Sequence, residues 1–150
     1  MEQIFEWQSW LMNKPIYFGI FFVVMWVITS FIISKITGWS RLAEKYRTRR
    51  KPKSKLLLAV QVHWGSTYMA GNIYTIGCNT EGMYLGVLFP FRVGHPPLLI
   101  PWHDIKTSKI SGLIKSRIQL NFGNNLSRPF EIYDKTAQKI KERSNGQFNY

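Results

Sequence analysis

The chain has 150 residues, 45% hydrophobic and 15% aromatic, which leaves room for one domain of ordinary size and excludes an intrinsically disordered chain. Its formal net charge of +12 is unevenly spread: residues 35–55 hold nine basic residues against Glu44, residues 56–150 hold ten against five acidic, and residues 1–15 are net negative. The single cysteine, Cys78, excludes an intrachain disulfide and a thiolate zinc cluster, and suits a small buried residue in a strand within a reducing compartment.

Residues 1–15 carry Ile4, Phe5, Trp7, Trp10, Leu11 and Met12, which suit a short interfacial helix, with a flexible tail as the alternative. Between Lys14 and Lys35 there is then no charge for twenty positions. Residues 16–34 are predicted to be a transmembrane helix, since at about 1.5 Å per residue Ile16 to Ile33 covers roughly the 30 Å of a bilayer core. Pro15 is compatible with a first helical turn, and Thr29 and Ser30 can return their hydroxyls to carbonyls one turn earlier. A cleaved signal peptide would want a basic leader and a small-residue cleavage site, whereas Glu2 and Glu6 precede this segment and no such site follows. The cations after the span outnumber Lys14 before it, so the N-terminus is expected outside and the C-terminal domain in the cytoplasm.

Residues 35–55 read as an amphipathic, basic juxtamembrane segment and linker. Trp39, Leu42, Ala43 and Tyr46 recur at helical spacing, and Pro52 breaks the basic run that follows. At the interface such a helix would set Trp39 and Leu42 against the acyl boundary and its cations among lipid phosphates. The expected lipid-contacting set is Trp39, Arg41, Lys45, Arg47, Arg49, Arg50, Lys51, Lys53 and Lys55, with anionic phospholipid as partner. A topology signal with ordinary headgroup contact is the plainer alternative, and a protein-docking site a third. Nucleic acid is not expected, because no aromatics are interleaved to read bases.

From residue 56 the period becomes strand-like. Seven short runs rich in Val, Ile, Tyr, Phe and Leu are separated by turn residues, and Ile118, Leu120 and Phe122 alternate with Arg117, Gln119 and Asn121, so one sheet face is wet and one buried. A helix is predicted after Tyr133 with Asp134 as its N-cap, Ala137, Ile140 and Arg143 on one stripe with Tyr133, and Asn145-Gly146 as its stop. The expected fold class is a membrane-anchored, mainly β protein: a curled antiparallel sheet of about seven strands with a C-terminal helix over residues 56–145, then a tail at 146–150.

The stretch Thr80-Glu81-Gly82-Met83-Tyr84-Leu85, followed after a loop by Pro97-Leu98-Leu99-Ile100-Pro101-Trp102-His103-Asp104-Ile105, resembles the pleckstrin-homology-like (PH-like) GRAM and bacterial PH-type domains. With Gly38-Trp39, Leu42-Ala43 and Tyr46 after a span, the pattern is similar to a group of small uncharacterised bacterial single-pass membrane proteins. The resemblance covers residues 38–133 and implies a PH-like curled sheet plugged by its C-terminal helix, at a bacterial inner membrane. It departs from lipid-reading PH domains at Gly65-Ser66, where their basic first loop carries cations and this one has none.

Prolines before a strand and a large aromatic after it mark residues 96–102 as an edge strand bending over the core. Phe89, Phe91, Arg92, His95, Pro96 and Pro97 in the long loop before it, with Trp102, form a candidate partner-docking surface. His63, His95 and His103 do not pair at metal-ligand spacing, and Asp104, if in a strand, would point away from His103. No catalytic motif is present, so no catalytic residue, metal or cofactor is expected. The expected function is a non-catalytic, membrane-tethered interaction or scaffold module, its partner an unidentified membrane or cytosolic protein, with self-association left open. A lipid-headgroup sensor and a structural subunit of a larger membrane complex are the alternatives.

Overall fold

Uninterrupted apolar residues with proline in the first turn give a single long helix, α1, over Pro15–Thr37 in the computed structural model of the protein. The structure describes residues 6, 9, 14–64, 71–112, 115–124 and 127–150. The N-terminal interfacial helix expected over residues 1–15 and the Gly65-Ser66 loop lie, apart from Glu6, Ser9, Lys14 and Pro15, outside them. The mean hydropathy of α1 reaches 2.5, yet only 6% of its most apolar stretch is buried. Just three of its residues are covered, Ser30, Ser34 and Thr37, at a spacing that puts them on one face.

Gly38 ends α1 and begins the next helix, α2 (Trp39–Tyr46). With φ at +83° it takes the left-handed conformation, donating its N–H to the Lys35 carbonyl (3.2 Å) and accepting from Leu42 N–H (3.1 Å). Any side chain here would be strained, which fixes glycine at the corner.

Seven strands follow as one antiparallel sheet: β1 (Leu57–Trp64), β2 (Gly71–Cys78), β3 (Gly82–Val87), β4 (Leu98–Pro101), β5 (Ile105–Ile110), β6 (Arg117–Phe122) and β7 (Phe130–Tyr133), in the order β4-β3-β2-β1-β7-β6-β5. The chain passes from one edge strand to the other through a single 3-10 turn at Trp102–Asp104, so the sheet curls into a half-barrel. Irregularities on either side of Val60, with Ala59 at positive φ, bend β1 in the middle of the sheet. As the alternation predicts, Ile118, Leu120 and Phe122 are buried while Arg117, Gln119 and Asn121 remain half exposed. The edge strand expected from the prolines is β4, and Gly82 lets β3 approach it: a Cβ there would fall 2.7 Å from the Ile100 carbonyl carbon.

The helix predicted at the C-terminus is α3 (Asp134–Arg143), which buries Ala137 and Ile140; its cap is Tyr133, so Asp134 is the first helical residue and not the N-cap expected. It lies at the Cys78 end of β2, where the thiol points at the Ile140 carbonyl. The expected tail at 146–150 is not free: Phe148 is buried in the core and its N–H is held by Ser144 Oγ.

Two boundaries drawn from the sequence move. Residues 35–55 are not a separate interfacial helix and linker, because Trp39, Leu42 and Tyr46 are buried in the core of the sheet domain. Beyond α2 the chain adheres to the sheet: Arg47 bridges to Leu98 and Thr48 N–H binds the Pro97 carbonyl. Pro52 then covers Gly77, and the Ser54 hydroxyl donates to the Cys78 carbonyl. One amphipathic stripe serves a lipid surface or a protein core equally well, and here the core takes it. Each fully buried large apolar side chain contributes about 1.5–3 kcal/mol.

Candidate functional site

The loop between β3 and β4 turns back onto α1. Phe91 packs on Trp26 with ring centroids 5.1 Å apart and the planes tilted by 51°. Gly94, at φ +73°, lies so close that a Cβ would stand 3.3 Å from the Ser30 carbonyl oxygen and the Phe31 Cα. The covered face of α1 is small and polar, with Ser30 Oγ donating to the Trp26 carbonyl (2.8 Å) and Thr37 Oγ1 to that of Ile33 (2.9 Å). Short side chains with hydroxyls folded onto their own helix admit the loop backbone.

The loop is held from behind by α2. Trp39 Nε1 donates to the Pro96 carbonyl (2.9 Å), and the Trp39 ring meets His95 edge-on at 5.4 Å and also packs on Trp64 and Tyr74. His95 Nδ1 lies 2.9 Å from the Val93 carbonyl, and Phe91 and His95 donate their N–H groups to Leu88 and Arg92 carbonyls. Arg92 Nε turns back to the Val87 carbonyl at 3.0 Å. Phe89, at the tip, is 85% exposed, the largest exposure of any large apolar side chain among the described residues.

Of the expected docking surface, the structure brings together Phe89, Phe91, Arg92, His95, Pro96 and Pro97. It does not include Trp102, which is half buried, packs on Phe148 and donates to the Asn79 carbonyl (2.9 Å) beyond the far end of β2.

The lipid-contacting set divides in the same way. Trp39 is 1% exposed and meets no lipid, its ring occupied by the domain core. Lys45 is paired with the Asp104 carboxylate at 3.2 Å, which also accepts the Tyr46 hydroxyl at 2.6 Å. Asp104 lies in the 3-10 turn and not in a strand, so it faces α2. The Tyr46 hydroxyl, then Lys45, holds the Asp104 carboxyl below its ordinary range, while burial first, then that carboxylate, raises the Tyr46 phenol.

Arg41, Arg47, Arg49, Arg50, Lys51, Lys53 and Lys55 are exposed. Lys53 and Lys55, however, flank the contact of Ser54 with Cys78, and Arg143 binds the Lys55 carbonyl, at the opposite end of β1 from Trp64 and Trp39. Seven residues of strand separate those ends by roughly 20 Å, well over the Debye length of about 8 Å. The cations gathered where α1 ends are Lys35, Arg41, Arg47, Arg92 and Arg128, whose backbone N–H binds the Thr37 carbonyl at 3.2 Å. Lys35, Arg47 and Arg92, together with the carboxylate of Glu44, border a cleft of about 500 Å³ that also includes Phe31, Ser34 and Gly94.

Among the described residues no three His, Cys, Asp or Glu side chains converge. Cys78 is buried, and desolvation pushes its thiol up to about 11. Comparison of the chain with protein-family models, with curated proteins and with solved structures finds no match.

Proposed function

We propose that the chain is a non-catalytic interaction module tethered by α1 to the cytoplasmic face of a bacterial inner membrane, presenting a PH-like sheet domain to a protein partner. The observation that carries this reading is the contrast within α1. A 23-residue helix whose mean hydropathy reaches 2.5 leaves most of its apolar side chains uncovered, while the adjoining sheet domain has a complete core without them. Such a surface is stable only in an apolar solvent, and the basic residues beyond it favour the cytoplasmic side. Anionic-lipid contact falls to Lys35, Arg41, Arg47, Arg92 and Arg128, the cations around the end of the helix. Mild-detergent recovery of the full chain from cross-linked cells should yield a discrete set of proteins that a chain truncated after Lys55 fails to recover. An unchanged set would overturn the scaffold role.

The cleft bordered by Lys35, Arg47 and Arg92 also supports a second reading, headgroup sensing. Replacing all three with Gln should then abolish any preference of the reconstituted protein's environment for phosphatidylglycerol over phosphatidylcholine, and a retained preference would count against that reading.

A further inference from the structure

We propose that the β3–β4 loop is a wedge inserted into the bilayer leaflet on the domain's side, so that the sheet domain is embedded by two elements, α1 and this loop. The inference rests on the reading of α1 as a membrane span and adds a second membrane-entering segment to it.

The depth follows from the contacts. Trp26 lies nine residues before Lys35, the first charge after the span, about 14 Å along the axis at 1.5 Å per residue, and Ser30 lies about 8 Å from it. Half of a hydrocarbon core is about 15 Å. A helix that spans the core therefore carries whatever packs on Trp26 and Ser30 into the same leaflet, and what packs there is Phe91 and Gly94. The tip is apolar: Leu88, Phe89, Pro90 and Phe91 run consecutively, and Phe89 points away from the protein with nothing of its own fold to cover it.

The loop satisfies part of its polar backbone from within the protein, while the N–H groups of Phe89, Arg92, Val93 and Gly94 have no partner among the described residues. Backbone polar groups in hydrocarbon must be satisfied from within the protein. Three of the ten residues 88–97 are prolines without an N–H. The Leu88, Arg92, Pro96 and Pro97 carbonyls accept from Phe91 N–H, His95 N–H, Trp39 Nε1 and Thr48 N–H, respectively. The one cation, Arg92, bends away from the tip toward Val87 and the cleft shared with Lys35 and Arg47, as a snorkelling side chain does. The occupant of the exposed surface around Phe89 is accordingly the acyl region of the leaflet that α1 enters, with the cations at its headgroup level.

The test is nitroxide labelling of the full chain in a Cys78→Ala background. The chain is reconstituted into vesicles of equimolar phosphatidylethanolamine and phosphatidylglycerol, and broadening by oxygen is compared with broadening by an aqueous nickel chelate. Labels replace Phe89, Val24 on an exposed face of α1, and Lys139 on an exposed face of α3. The wedge predicts loss of nickel broadening at positions 89 and 24, with oxygen dominating, and full nickel broadening at 139. Nickel access at 89 with protection at 24 would overturn the wedge and leave the anchor standing. Nickel access at 24 would overturn the anchor and the wedge with it. Because Phe89 is exposed, the label does not endanger folding.

Discussion

Replacing Trp39 with Ala separates a core role from a lipid-facing one. In the structure its ring is 1% exposed and touches Trp64, Tyr74 and His95, and its Nε1 satisfies the Pro96 carbonyl. Truncating a buried Trp costs about 3–5 kcal/mol, and leaving the carbonyl unpaired adds about 1 kcal/mol. That is a large share of the roughly 5–15 kcal/mol that stabilises a domain. Urea unfolding of the full chain in detergent micelles can be followed by pulse-labelling of Cys78, a buried thiol in the native state. With a slope of about 1–3 kcal/mol per molar, the midpoint should fall by about 2 M. Trp39→Phe keeps most of the packing and loses the hydrogen bond, so it should fall between wild type and the alanine variant. A shift under about 0.5 M for Trp39→Ala would refute the placement of α2 in the core.

Gly82→Ala should destabilise the domain and expose the β4 edge, read as faster amide exchange at Leu98, Leu99 and Ile100, because the added Cβ collides with the Ile100 carbonyl. The contact of α2 with the 3-10 turn should weaken at both pH extremes. Asp104, its folded pKa lowered, contributes above its ordinary 3.8 and loses this as pH falls, whereas Tyr46, its folded pKa raised, contributes below its ordinary 10.0 and loses this as pH rises. Thermal midpoints should therefore form a plateau between those limits, and Asp104→Asn should remove the acid-side decline; an unaltered acid limb in that variant would exclude Asp104 as its source. Cys78 should resist thiol reagents in the folded chain and react on unfolding, since burial both shields it and pushes its thiol up to about 11; stoichiometric labelling under native conditions would contradict this.

The strands were legible because period-two alternation and turn residues are local signals, clearest where Ile118, Leu120 and Phe122 share a face. The extent of α1 was equally plain from twenty positions without charge. The partner of α2 was not. Trp39, Leu42 and Tyr46 form an apolar stripe whose spacing is the same for a bilayer surface and for a sheet interior, and only the tertiary contacts with Trp64 and Tyr74 decide between them. The length and aromatic content of the loop are legible in the sequence, but its return to Ser30 and Trp26 depends on a long-range approach that Gly94 permits and that one glycine among eleven does not announce. Lys53 and Lys55 read as part of one basic collar because they continue the run from Arg47 in sequence; the extended path to Cys78 carries them away from α1.

Alkaline carbonate extraction of membranes from cells making the full chain tests the anchoring by α1 most directly. The account predicts that the protein stays in the membrane pellet. Its release into the supernatant would contradict the anchor, and the scaffold and wedge proposals would fall with it.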